Sequence, residues 1–118
     1  MSNNEINWHK IADSFTSISF QPNNMCVVEV DGKKITLGKF NDTLFAFAYK
    51  CPHASGIMAD GFIDALGNAV CPIHRYKFSL HTGRNTSGEG YFIKTFATKQ
   101  ISEGVFIGIE ETGIFSFI

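Results

Sequence analysis

The chain has 118 residues, 44% apolar and 18% charged, with a formal net charge of −1. That length is expected to form one domain, 1–118, around a single core, without room for a second catalytic domain. The ten Lys and Arg residues are scattered, which argues against nucleic-acid binding, and no apolar run is long enough to span a membrane.

In chain order, the opening Met1-Ser2-Asn3-Asn4-Glu5-Ile6-Asn7 shows neither the positive n-region nor the apolar h-region of a secretory signal, so a cytoplasmic address is expected. Asp13 to Ser17 carries a weak helical-turn signal, with Asp13 or Ser14 as its cap. Met25 to Val30 reads as a strand, Asp31-Gly32 as a tight turn and Lys33 to Phe40 as the returning strand, because Asp-Gly accepts the positive φ angles of a two-residue hairpin. Asn41-Asp42-Thr43 turns again into a strand over Leu44 to Tyr49. After residue 50 the pattern loosens into Cys, Pro, His, Gly and Ser, to about Asn68. Strand character then returns at Ala69-Val70, Tyr76 to Leu80, Tyr91 to Ile101, Val105 to Glu110 and Ile114 to Phe117. Short strands separated by turn residues predict an all-β antiparallel sandwich or barrel. The twelve phenylalanines and Trp8 are expected to fill its core.

The chemistry lies in two short pieces, Cys51-Pro52-His53 and Cys71-Pro72-Ile73-His74. Each supplies one thiol and one imidazole behind a proline, whose fixed φ lowers the entropy of holding two ligands on one metal face. The three cysteines are an odd set, and placing two of them just before histidines favours metal ligation over a disulfide. Two thiolates on one iron and two neutral imidazoles on the other would divide this set naturally across a [2Fe–2S] unit. A structural zinc ion takes the same Cys₂His₂ set, although zinc ligand pairs are usually two to four residues apart and the one-residue gap of Cys51 and His53 is unusual there.

Cys-x-His, residues 54–70, then Cys-x-x-His resembles the Rieske [2Fe–2S] signature. The resemblance runs from Trp8-His9-Lys10-Ile11-Ala12 through the Asp31-Gly32 hairpin and Leu44-Phe45-Ala46-Phe47 to Phe78-Ser79-Leu80-His81-Thr82-Gly83. It is strongest to the single-domain ferredoxins that serve bacterial ring-hydroxylating dioxygenase systems. The resemblance implies a Rieske-like antiparallel β-sandwich or barrel with a small cluster-binding subdomain of two loops, about 50–58 and 71–78. It also implies one [2Fe–2S] cluster, with Cys51 and Cys71 on one iron and His53 and His74 on the other. The function implied is a one-electron carrier, not itself an enzyme and without a small-molecule substrate of its own, taking electrons from a flavin-dependent reductase to a terminal oxygenase. Small nitrite reductase subunits are also similar, so a module within a larger oxidoreductase complex stands as the alternative, with a zinc domain behind it.

Three features depart from the family's high-potential members. Those carry a cysteine pair that clamps the two loops; here Cys26 is the only remaining thiol and lies in a separate strand, where it reads as a small buried hydrophobe. Where they carry Ser and Tyr hydrogen-bond donors, this chain has Tyr76 and Phe78, which predicts a potential toward the low end of roughly −150 to +300 mV. Gly88-Glu89-Gly90 stands where relatives often carry a shielding proline. His9 and His81 lack partners at ligand spacing and are expected to be exposed or to cap turns. Arg75 and Lys77 are candidates for a basic docking rim.

Overall fold

The structure, a computed structural model, describes residues 4–112. Among these residues the regular elements are β1 (Asn4–Ala12), β2 (Met25–Val30), β3 (Lys33–Phe40), β4 (Thr43–Ala48), β5 (Phe62–Ile63), β6 (Asn68–Val70), β7 (Lys77–Ser79), β8 (Thr95–Ile101) and β9 (Gly104–Thr112), with 3₁₀ turns at Phe15–Ser17 and Met58–Asp60. The fold is all-β and its paired strands are antiparallel. The chain divides into two compact units, one from its two ends, up to Ile18 and from Phe96, and one from Ser19 to Thr95.

In the first unit β9 pairs with β1, Glu5 opposite Glu111 through Ala12 opposite Val105, with an irregularity between Lys10 and Ala12. It also pairs with β8, Ala97 opposite Gly108 through Ile101 opposite Gly104. Val105, Ile107 and Ile109 are buried, the period-2 face of a strand. Trp8 does not join a core: it is 37% exposed, and the Lys99 ammonium lies 4.2 Å from its ring centroid. An indole on an end strand is half covered by a lysine stem and head, a cation–π contact that leaves its outer face wet.

The second unit holds the site. β2, β3 and β4 form a meander, Met25 opposite Gly38 through Val30 opposite Lys33, then Ile35 opposite Ala48 through Phe40 opposite Thr43. Both turns use consecutive positive φ angles, Asp31 (54°) with Gly32 (78°) and Asn41 (52°) with Asp42 (59°), the geometry that matches strand twist. β5, β6 and β7 make a second, three-stranded sheet. Met25, Phe47, Met58, Ala69, Phe78, Leu80 and Ile93 form a buried cluster that also includes Cys51 and Cys71. Each large side chain removed from water there contributes about 1.5–3 kcal/mol.

Several expectations change. β8 begins at Thr95 rather than Tyr91, and the loop after residue 50 contains the two-residue β5. The expected helical turn is the 3₁₀ turn Phe15–Ser17 with Ser14 as its cap. The expected strand Ile114 to Phe117 lies outside the described residues. Phe62 and Phe92 are exposed rather than core. Phe92 lies outside the strands, in an isolated bridge to Arg84, and it is the next residue, Ile93, that is buried. Cys26 is half-buried rather than buried.

Candidate metal centre

The two cysteine-bearing loops are built alike. After β4, the Cys51 N–H donates to the Gly56 carbonyl (2.7 Å), and the Cys51 carbonyl accepts from the Ser55 N–H (3.1 Å). After β6, the Cys71 N–H donates to the Tyr76 carbonyl (2.9 Å), and the Cys71 carbonyl accepts from the Arg75 N–H (3.0 Å). In both loops a proline follows the cysteine, and the residue four positions after it is left-handed, Ser55 at φ 57° and Arg75 at φ 62°. Non-glycine residues held there cost free energy that the surrounding hydrogen bonds must offset.

These loops bring together all four residues that the sequence singles out. Cys51 and Cys71 are buried, at 3% and 1% exposure, in one core cluster. Burial raises the Cys71 thiol pKa and its neighbour Cys51 adds to this, while the backbone N–H groups of Ile73 and His74 favour the thiolate. Toward the surface, the Nδ1 atoms of His53 and His74 approach to 3.4 Å, with ring centroids 5.1 Å apart. His53 is half-buried and His74 exposed. Gly56 permits the closeness of the loops: a Cβ there would lie 2.5 Å from Ile73 Cγ1 and 3.0 Å from Cys71 Sγ.

The grouping is therefore a thiol pair and an imidazole pair. Among the described residues no three or more His, Cys, Asp or Glu side chains gather about one point. A two-iron unit needs two protein ligands on each metal, and the pairs suit that demand.

Aromatic rings flank the imidazoles. Tyr76 stacks on His53, centroids 4.3 Å apart and planes 25° from parallel, with its hydroxyl 3.5 Å from His53 Nε2. Tyr91 lies 5.2 Å from the His53 ring. Phe78, by contrast, is in the core with no exposure. Glu89 also acts on this corner: a hydrogen bond from Ser87, opposed by desolvation, then one from Asn85 and the field of His53 hold its carboxyl below the usual range. Sequence reasoning marked Gly88-Glu89-Gly90 as a departure but identified neither Tyr91 as a neighbour of His53 nor Asn85 and Glu89 as parts of the loop that leads to it. Their one signal was the density of small and polar residues between Thr82 and Gly90.

The other candidates lie elsewhere. His81 is exposed and meets Phe45 edge-on at 4.8 Å, and His9 Nε2 is buried with no hydrogen-bond partner among the described residues. Lys77 is drawn to Asp64 at 3.7 Å, so it is less available to a docking rim than its exposed neighbour Arg75.

The chain belongs to the Rieske [2Fe–2S] domain family, whose model matches residues 7–96. The cofactor of that family is one [2Fe–2S] cluster, and the donor set described above suits it. The chain is 34% identical over 58 residues to the ferredoxin component of the naphthalene 1,2-dioxygenase/salicylate 5-hydroxylase systems of Ralstonia sp., covering 48% of this chain and 54% of that protein. It is 27% identical over 86 residues to the ferredoxin component of the alkene monooxygenase system of Xanthobacter autotrophicus, covering 73% and 70%. The match thus spans about half the length of the first of these relatives. The fold is similar to that of the ferredoxin of carbazole 1,9a-dioxygenase from Nocardioides aromaticivorans, with a TM-score of 0.72, 19% identity, and coverage of 85% of this chain and 95% of that one.

Proposed function

We propose that this chain acts as one Rieske domain and carries single electrons, taking them from a flavin-dependent reductase and passing them to a terminal oxygenase. In this reading Cys51 and Cys71 hold one iron, and His53 and His74 hold the other through Nδ1. The observation that carries it is the division of the four residues into a buried thiol pair and a surface imidazole pair whose Nδ1 atoms face each other at 3.4 Å. A bound [2Fe–2S] cluster accepts and releases one electron, and neutral imidazoles in place of two thiolates favour the electron on the histidine side.

The protein's own part is to place, shield and present. Burial of the cysteines keeps water from the thiolates, and the Ile73 and His74 amides supply N–H donors to Cys71 sulfur. The exposed His74 brings the imidazole end within electron-transfer reach of a docked partner. Around that end Ile73 and Tyr91 are exposed, and beside them opens a cleft of about 620 Å³ lined by Thr82, Arg84, Asn85, Gly90, Tyr91 and Phe92. A small apolar patch with a cationic margin suits brief docking better than a permanent interface. The named systems of the two relatives, each with a ferredoxin component, support an oxygenase as acceptor. A cytoplasmic setting is part of the proposal; no helix of the described residues is long and apolar enough to cross a membrane.

Iron and acid-labile sulfide analysis of the purified chain, with visible spectra before and after dithionite, tests the reading. Two irons and two sulfides per chain, and a visible absorption that a ferredoxin reductase bleaches, are expected. One zinc without sulfide would replace it with the zinc domain, and a chain recovered only with a large partner would favour the subunit reading.

A further inference from the structure

Residues 85–91 form a third loop at the site, organised around one side chain. The Asn85 amide nitrogen donates to the Lys77 carbonyl (3.0 Å), the Ser87 hydroxyl (3.1 Å) and Glu89 Oε1 (2.9 Å). Its amide oxygen accepts from the N–H groups of Glu89 and Gly90 (2.8 Å for Gly90). The Ser87 hydroxyl in turn donates to Glu89 and accepts from the Lys77 N–H (2.9 Å). Asn85 thus ties β7, whose first residue lies three positions after His74, to both ends of the Ser87–Gly90 turn. The turn contains Gly88 and Gly90 at positive φ, 94° and 86°, a backbone with little preference of its own. What the tether delivers beside His53 is the Tyr91 ring, 5.2 Å away and also 5.8 Å from Tyr76, with the Glu89 carboxylate, held by Asn85 at 2.9 Å, two residues before it.

We propose that Asn85 is a positioning residue that holds the 85–91 loop over His53, so that the Glu89 carboxylate makes reduction at the histidine end less favourable and the Tyr91 ring covers it. The inference rests on the ligand assignment proposed above. An anion fixed near the iron that receives the electron opposes added negative charge, and it does so only while the loop keeps it in place. The phenol ring removes water from the same side, which strengthens that effect.

The experiment is a double-mutant cycle read by the midpoint potential of the cluster-loaded protein. Glu89→Gln keeps size and hydrogen bonding but removes the charge, and is expected to favour reduction about two- to fivefold in equilibrium constant, the scale of one exposed charge interaction. Asn85→Ala is expected to raise the potential as well, and Glu89→Gln placed on Asn85→Ala to add little further, because the carboxylate has already left. Asn85→Gln, which keeps a neutral amide but shifts it by one methylene off the Lys77 carbonyl and the Glu89 and Gly90 N–H groups, provides the reading if Asn85→Ala loses the cluster; a potential between those of the wild type and Glu89→Gln is expected. An unchanged potential in Glu89→Gln, or a Glu89→Gln shift of full size in the Asn85 variants, overturns the proposal. Wild-type protein without iron and sulfide would instead overturn the ligand assignment, an outcome that metal analysis separates from these.

Discussion

At the scale of residues, the site's asymmetry is one of exposure. The two sulfurs are nearly inaccessible, while one imidazole is half-buried and the other exposed, so changes at the two kinds of proposed ligand should differ in kind. His74→Cys replaces a neutral ligand with an anionic one at the surface; the variant should keep a cluster and lose potential by about 100 mV or more, toward the roughly −400 mV of all-thiolate clusters. Potentiometry checks this, and an unchanged value would remove His74 from the ligand set. Gly56→Ala should be costlier than its one methyl suggests, because that methyl meets Ile73 and the Cys71 sulfur. Overpacking of about 1–3 kcal/mol, with a smaller fraction of chains holding iron, is expected in denaturation and metal analysis. The four proposed ligands could be singled out in the sequence because each cysteine stands two or three residues before a histidine. Asn85, Glu89 and Tyr91 could not be: each is an ordinary surface residue type, and only the folding back of 85–91 onto β7 gives them a role.

Among the elements, local rules explain what could be foreseen. β2 and β3 fall at the expected residues because Asp31-Gly32 dictates the turn and therefore the register. β1 escaped notice because its pairing partner β9 lies at the far end of the chain, and a long-range pairing leaves little mark on either strand alone. β5 has two residues, too few for periodicity to register. The site depends on the β5–β6–β7 sheet, and two predictions concern it. Phe78 on β7 has no exposure and packs in the cluster that contains both cysteines, so Phe78→Ala should cost about 3–5 kcal/mol in chemical denaturation and release the cluster more readily. Asp64, before β6, is partly desolvated. Nevertheless the Asn68 N–H (2.9 Å), its side-chain amide (3.1 Å), the Leu66 N–H (3.0 Å) and Lys77 hold its pKa below the ordinary 3.8. A carboxyl depressed in the folded state stabilises above its unfolded pKa and loses that contribution as pH falls through the folded value. Unfolding followed from about pH 5 down to about pH 2.5 should therefore show an acid limb in the wild type that shrinks in Asp64→Asn.

For the molecule as a whole, the arrangement separates keeping from giving. The thiol pair sits in the core of the Ser19–Thr95 unit, where packing fixes it. The imidazole pair lies among exposed Ile73 and Tyr91, where a partner can reach it. Such a layout suits the proposed transfer of single electrons to a docked partner. In the proposed assignment two histidine nitrogens of this chain bind one iron of a cluster whose other iron is held by cysteines. Pulsed EPR of the dithionite-reduced protein, grown with ¹⁵N-labelled histidine, addresses it most directly. Two strongly coupled ¹⁵N nuclei, lost one at a time in His53 and His74 variants that still hold iron, is the predicted result. A reduced cluster coupled to no histidine nitrogen would contradict it.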